Sequence, residues 1–130
     1  MQKVGYVKGD DILERLLDFA ARVGLVVDAL PDRRLGRHIA GQLVRSGTSP
    51  APNYSEGQAA ESREDFCHKL SIALKEMRES HVWLKLIVKA RLLPDSRLGE
   101  LLDECDQLMR ILANSILTAK RNHPNAPKAK

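Results

Sequence analysis

Cys67 and His68 stand side by side, and Asp65 precedes His68 by three residues, so the third quarter of this 130-residue chain is where reactive side chains gather. A thiol beside an imidazole is the raw material of a nucleophile–base pair. On a helix, however, adjacent residues point about 100° apart, which separates Cys67 from His68. Asp65-x-x-His68 has the spacing of one half of a di-iron ligand set. That set needs two Glu-x-x-His motifs and carboxylates from every helix of a bundle. The remaining histidines, His38, His81 and His123, fall at no ligand spacing. Cys105 lies far from Cys67 in an apolar helical pattern, so both cysteines read as buried, reduced thiols in the cytoplasm. No glycine-rich phosphate loop follows a strand. The expectation is a protein without catalytic residues, metal or cofactor.

Polyanion chemistry has more material. The chain carries a formal net charge of +4, and its cations concentrate in two places. Arg33, Arg34, Arg37 and Arg45 lie on one helical segment, and Lys75, Arg78, Lys85 and Lys89 share one sector of another. Such faces meet phosphates, or are solvated and paired locally, for example Lys75 with Glu79 at i,i+4. No aromatic residue interleaves with these cations, so base stacking is unsupported.

The elements that must carry these residues are helices. Aromatics make up only 4% of the chain, so the core is built from Leu, Ile, Val and Ala. No apolar run approaches the length of a membrane span. A first helix is expected from about Asp11 to Leu30, with Ile12, Leu16, Phe19, Val23, Val26, Val27 and Leu30 at three- and four-residue steps. Pro31 ends it, and Asp32 is placed to cap the next. The second segment begins near Arg33 with Leu35, Ile39 and Leu43 on one face. Pro50 and Pro52 lack the amide that a helix interior needs, so a kink or break is expected after Ser49, with a further turn toward Ala60.

Ser62 has the position of an N-cap for a third helix that runs to about Leu92. Its seam is Phe66, Leu70, Ala73, Met77, Leu84 and Val88. A second apolar stripe, Ile72, Trp83, Leu86 and Ala90, falls on another sector roughly opposite. It is either covered by neighbouring segments or an oligomer interface, where tryptophan is enriched. The fourth helix, from Pro94-Asp95 to about Lys120, carries Leu98, Leu101, Leu102, Cys105, Leu108, Met109, Leu112 and Ile116 on one stripe. Short connections between four amphipathic helices imply an all-α, antiparallel up-and-down four-helix bundle over residues 11–121. Residues 1–10 form an N-terminal extension, and residues 122–130 a disordered basic tail containing Pro124 and Pro127.

The stretch from Gln42 to Gly57 resembles the signature of the intervening-sequence proteins of large-subunit ribosomal RNA, a bacterial four-helix-bundle family. Its pattern falls on Gln42, Arg45, Ser49, Asn53, Glu56 and Gly57. Phe66, the run Leu70 to Glu79, and Trp83-Leu84 are similar to the family's third helix. The prolines at 50 and 52, and Tyr54 in place of a small apolar residue, depart from the pattern. More distantly, the chain resembles the accessory variability protein of diversity-generating retroelements, a basic pentamer that works with nucleic acid. The resemblance implies a ring-shaped homo-oligomer, commonly a pentamer, without an assigned activity. The expected function is a homo-oligomeric interaction or scaffold protein; the alternative is an accessory protein that binds RNA or DNA. Asn53 and Glu56 are polar residues inside the signature. They serve function directly, or satisfy backbone groups exposed where the helix is interrupted.

Overall fold

Helix boundaries follow the breakers in the sequence. The computed structural model describes residues 8–122, so residues 1–7 of the expected extension and 123–130 of the expected tail lie outside the described residues, while Asn122 ends the last helix. Helix α1 (Lys8–Ala29) begins ahead of the expected start and stops before Pro31. Helix α2 (Arg34–Thr48) has Arg33 as its N-cap, in extended conformation and without a side-chain cap. Asp32 does not cap it. Its carboxylate instead accepts from Arg37 Nη1 at 2.8 Å, because a charged partner competes for the same oxygen.

Helix α3 (Pro50–Gln58) continues α2 after a break at Ser49, as the prolines imply. Pro50 occupies the first position of α3, where an amide would have no partner in the helix. Ser49 keeps helical angles (φ −76°, ψ −34°), so α2 and α3 form one bent rod. Asn53 repairs the break. Both its backbone amide (3.2 Å) and its Nδ2 (3.1 Å) donate to the Ser49 carbonyl, and Nδ2 also reaches Ser49 Oγ.

Helix α4 (Arg63–Lys89) is capped as expected, with Ser62 Oγ accepting from the Asp65 amide at 3.0 Å. It ends in a Schellman motif: the Arg91 amide donates to Val88 O and the Leu92 amide to Ile87 O. Arg91 holds the left-handed position at φ 59°. Helix α5 (Asp95–Asn122) follows Pro94 and completes the fold. No described helix is long and apolar enough to cross a membrane.

The four rods pack as an antiparallel, up-and-down, all-α bundle. Helix α1 touches α2, α3 and α5, while α4 touches α2, α3 and α5, so α1 and α4 occupy opposite corners without contact. Leu16, Phe19, Val23 and Val26 of α1 meet Ile39, Leu43, Leu70, Met77, Leu84, Leu108 and Leu112 in one core. Each such side chain, fully buried, contributes roughly 1.5–3 kcal/mol. On α4 the buried positions include Ser80 and Ile87, whereas Phe66 and Val88 are only half-buried. Leu35, expected on the inner face of α2, is 41% exposed. At the α1–α5 boundary, Arg15 grips Glu104 with two hydrogen bonds of 2.7 and 2.9 Å.

Candidate interaction faces

The signature residues gather along the seam where the bent α2–α3 rod lies on α4. Arg45 is the centre of this seam. Its guanidinium donates to Glu76 Oε1 at 3.0 Å and, on the same side, to Glu79 Oε2. Glu79 also accepts from Trp83 Nε1 at 2.9 Å. The Trp83 hydrogen bond, followed by the Arg45 contact, holds the Glu79 carboxyl below the ordinary carboxylate range. Trp83 meets His38 of α2 edge-on, with ring centroids 5.8 Å apart. Four side chains from two helices thus interlock: His38, Arg45, Glu79 and Trp83. Lys75, considered above as a partner for Glu79, forms no ion pair among the described residues because Arg45 occupies that carboxylate.

Farther down the seam, Gly57 gives α3 close access to α4. A Cβ there would lie 2.8 Å from Leu70 Cδ1 and 3.2 Å from Lys69 Cβ. Glu56 accepts from Lys69 Nζ at 2.8 Å on the surface, so it bridges helices rather than serving the backbone. Asn53, by contrast, does serve the backbone at Ser49.

The apolar stripe of Ile72, Trp83, Leu86 and Ala90 is not opposite the core. All four residues are half-buried, and Trp83 meets His38 of α2, which packs on α4. The sector of α4 that truly faces outward is the basic one. From Lys75 to Lys89 every exposed residue is a cation except Val82: Lys75, Arg78, Lys85 and Lys89. Of the cations on α2, Arg33 and Arg34 are exposed, Arg37 is paired with Asp32, and Arg45 is held by its two glutamates. The eight cations therefore do not act as one face.

The opposite corner has the reverse sign. On α1 every exposed residue from Asp11 to Asp28 is acidic or apolar: Asp11, Glu14, Asp18 and Asp28, with Leu17, Ala21 and Leu25. Its two cations in that span, Arg15 and Arg22, lean toward Glu104 and Glu100 of α5. Sequence reasoning finds no such face if the acids of α1 are taken only as partners of the helix dipole. Their three- and four-residue spacing is the signal for a continuous face.

The reactive residues do not assemble. Cys105 is buried, its Sγ against Met77 O at 3.4 Å, and burial pushes its thiol up to about 12. Cys67 is buried while His68 is exposed, so they do not face each other. No group of three or more metal-ligating side chains forms among the described residues. A cleft of about 800 Å³ opens at one end of the bundle between Ile12, Tyr54, Arg63, Phe66 and Asn114. Within it, Arg63 donates to the Ala119 carbonyl at 3.3 Å and Gln58 to the Tyr54 hydroxyl at 2.8 Å.

Residues 10–114 match the 23S rRNA-intervening sequence protein family. The chain belongs to that family. It is also similar to a solved structure from Bacteroides thetaiotaomicron, a protein of unknown function from the S23 ribosomal protein family. Identity is 29% and the TM-score 0.78, over 85% of this chain and 98% of that one. A comparison with curated proteins finds no match. The bundle fold is thus shared across nearly the whole matched length, and family membership carries no assigned activity with it.

Proposed function

We infer that this protein works as a homo-oligomeric interaction or scaffold protein, with the pentamer implied by its family resemblance as the expected assembly. The observation that supports this reading is the outer surface of the bundle. The core is already complete, yet Leu17, Leu25, Leu35, Val44, Val82 and Leu117 stay between 40% and 70% exposed. Single exposed apolar side chains are ordinary, but here they recur on the same outward faces as unpaired charges. The half-buried ledge of Ile72, Trp83, Leu86 and Ala90 adds to the apolar area that a neighbouring copy would cover. Light scattering tests the reading: an oligomeric mass at micromolar concentration is expected, and a strictly monomeric species refutes it. If the ledge itself is in contact, Trp83→Glu lowers the mass while helical circular dichroism persists. An unchanged mass removes the ledge from the interface.

A second reading, binding of RNA or DNA, draws on the outward face of α4. Lys75, Arg78, Lys85 and Lys89 have no carboxylate among the exposed residues between them. Phosphate binding there gives affinity that falls steeply with salt, and removing one phosphate-binding cation lowers the log–log slope by about 0.7–0.9. Neutralising Arg78, Lys85 and Lys89 then weakens binding to all sequences alike. Binding that ignores salt, or no binding, refutes this reading.

A further inference from the structure

The outward stripes of α1 and α4 are opposite in sign and match each other in apolar content and in spacing. Asp18, Leu25 and Asp28 are separated by seven and then three residues, and Lys75, Val82 and Lys85 by the same steps in the same order. Leu25 and Val82, at 70% and 59%, are the two most exposed large apolar side chains among the described residues. None of the four charged residues forms an ion pair with a described residue. At about 1.5 Å per residue each triplet spans about 15 Å of helix, close to three turns.

We propose that the basic stripe of α4 docks on the acidic stripe of α1 of a second copy of this chain, with Val82 packed on Leu25, Lys75 facing Asp18 and Lys85 facing Asp28. This inference rests on the self-association reading above and names the contact through which it occurs. Residues at three- and four-residue steps are what two helices present when they pack side by side. Because the steps run in the same order, the stripes register when the two helices point the same way. That is the relation between neighbours turned about an axis parallel to the bundle. The contact is heterologous: α1 and α4 sit at opposite corners, so each copy has one acidic and one basic stripe free for different neighbours. Opposite charges flanking an apolar pair also set the register and disfavour contacts between two basic or two acidic stripes.

The experiment compares three proteins by light scattering and sedimentation: the wild type, Lys75→Glu/Lys85→Glu, and the same variant with Asp18→Lys/Asp28→Lys added. All four positions are exposed, and circular dichroism confirms that each protein keeps its helices. The two-site variant sets acid against acid, so self-association weakens by at least about a hundredfold and the mass falls to the monomer. The four-site variant restores opposite charges in reversed order and regains the oligomeric mass. A two-site variant that keeps the wild-type mass overturns this contact and leaves self-association standing. It does so equally if that variant has lost only affinity for nucleic acid. A four-site variant that stays monomeric overturns the charge pairing. A monomeric wild type overturns both this contact and the self-association on which it rests.

Discussion

Ser46 Oγ lies 2.8 Å from Ser80 Oγ in the buried seam between α2 and α4. Both residues are fully buried. Ser80 has a second contact, to the Glu76 carbonyl at 3.0 Å, whereas the other contact of Ser46, to Leu43 O, is 3.5 Å. The better geometry has Ser80 donating to Glu76 O and Ser46 donating to Ser80. Ser80→Ala therefore leaves Ser46 with a poor acceptor and costs about 1 kcal/mol. The double alanine variant is expected to cost less than the sum of the two single changes. Urea denaturation of the four proteins measures this, and strict additivity would show that the hydroxyls do not interact.

Gly47 and Gly41 lie in the same helix but answer alanine in opposite directions. A Cβ on Gly47 would stand 2.8 and 2.9 Å from the two methyl carbons of Val23, which is fully buried and stiff. Gly47→Ala is expected to destabilise by about 1–3 kcal/mol through overpacking. Gly41 is exposed with nothing near its Cβ position. Gly41→Ala is expected to stabilise by about 0.5–1 kcal/mol through helix propensity alone. Melting temperatures that move the same way for both would contradict this packing.

Arg91 occupies a left-handed position that glycine adopts without steric cost. Its side chain is exposed and its amide completes the Schellman motif. Arg91→Gly keeps the hydrogen bonds and relieves the Cβ clash, at the cost of a looser unfolded chain. The expected outcome is a gain of up to about 1 kcal/mol in chemical denaturation, and Arg91→Val, which is branched, is expected to lose stability.

Glu79 links stability to pH. Its folded-state pKa is depressed, first by Trp83 and then by Arg45. A depressed carboxylate adds stability above its unfolded pKa, about 4.3, and loses it as pH falls through the lower folded value. Wild-type stability should therefore drop on acidification below about pH 4 more steeply than that of Glu79→Gln. Trp83 is the chain's only tryptophan, so its emission reports the same titration directly. An emission profile identical in wild type and variant would refute the linkage.

Much of this arrangement is legible in the sequence, because short-range chemistry dictates it. Ser62 capping Asp65, the break before Pro50, and the apolar stripe of α5 depend on neighbours within a few turns. The buried residues of α4 keep strict seven-residue steps, Leu70, Met77 and Leu84 beside Ala73, Ser80 and Ile87, so Ile87 turns inward and the expected Val88 falls one position off the seam. The capping role expected of Asp32 fails for a related reason: Arg37, one turn away, competes for its oxygen.

By itself the sequence determined four helical rods, the break before Pro50, the Ser62 cap and most of each apolar stripe, since periodicity and backbone chemistry act along the chain. The family resemblance likewise started from a local pattern, Gln42 to Gly57, and the match that shows membership spans residues 10–114. Only the tertiary structure decided what those residues touch. It folded α2 over the Trp83 side of α4, which turned a presumed exposed stripe into a half-buried seam. It also tied Arg45 to Glu76 and Glu79, and so removed a cation from the basic surface. The placement of α1 and α4 at opposite corners, one acidic and one basic, depends on how four rods surround a core. Periodicity along one helix does not record which neighbour covers which side.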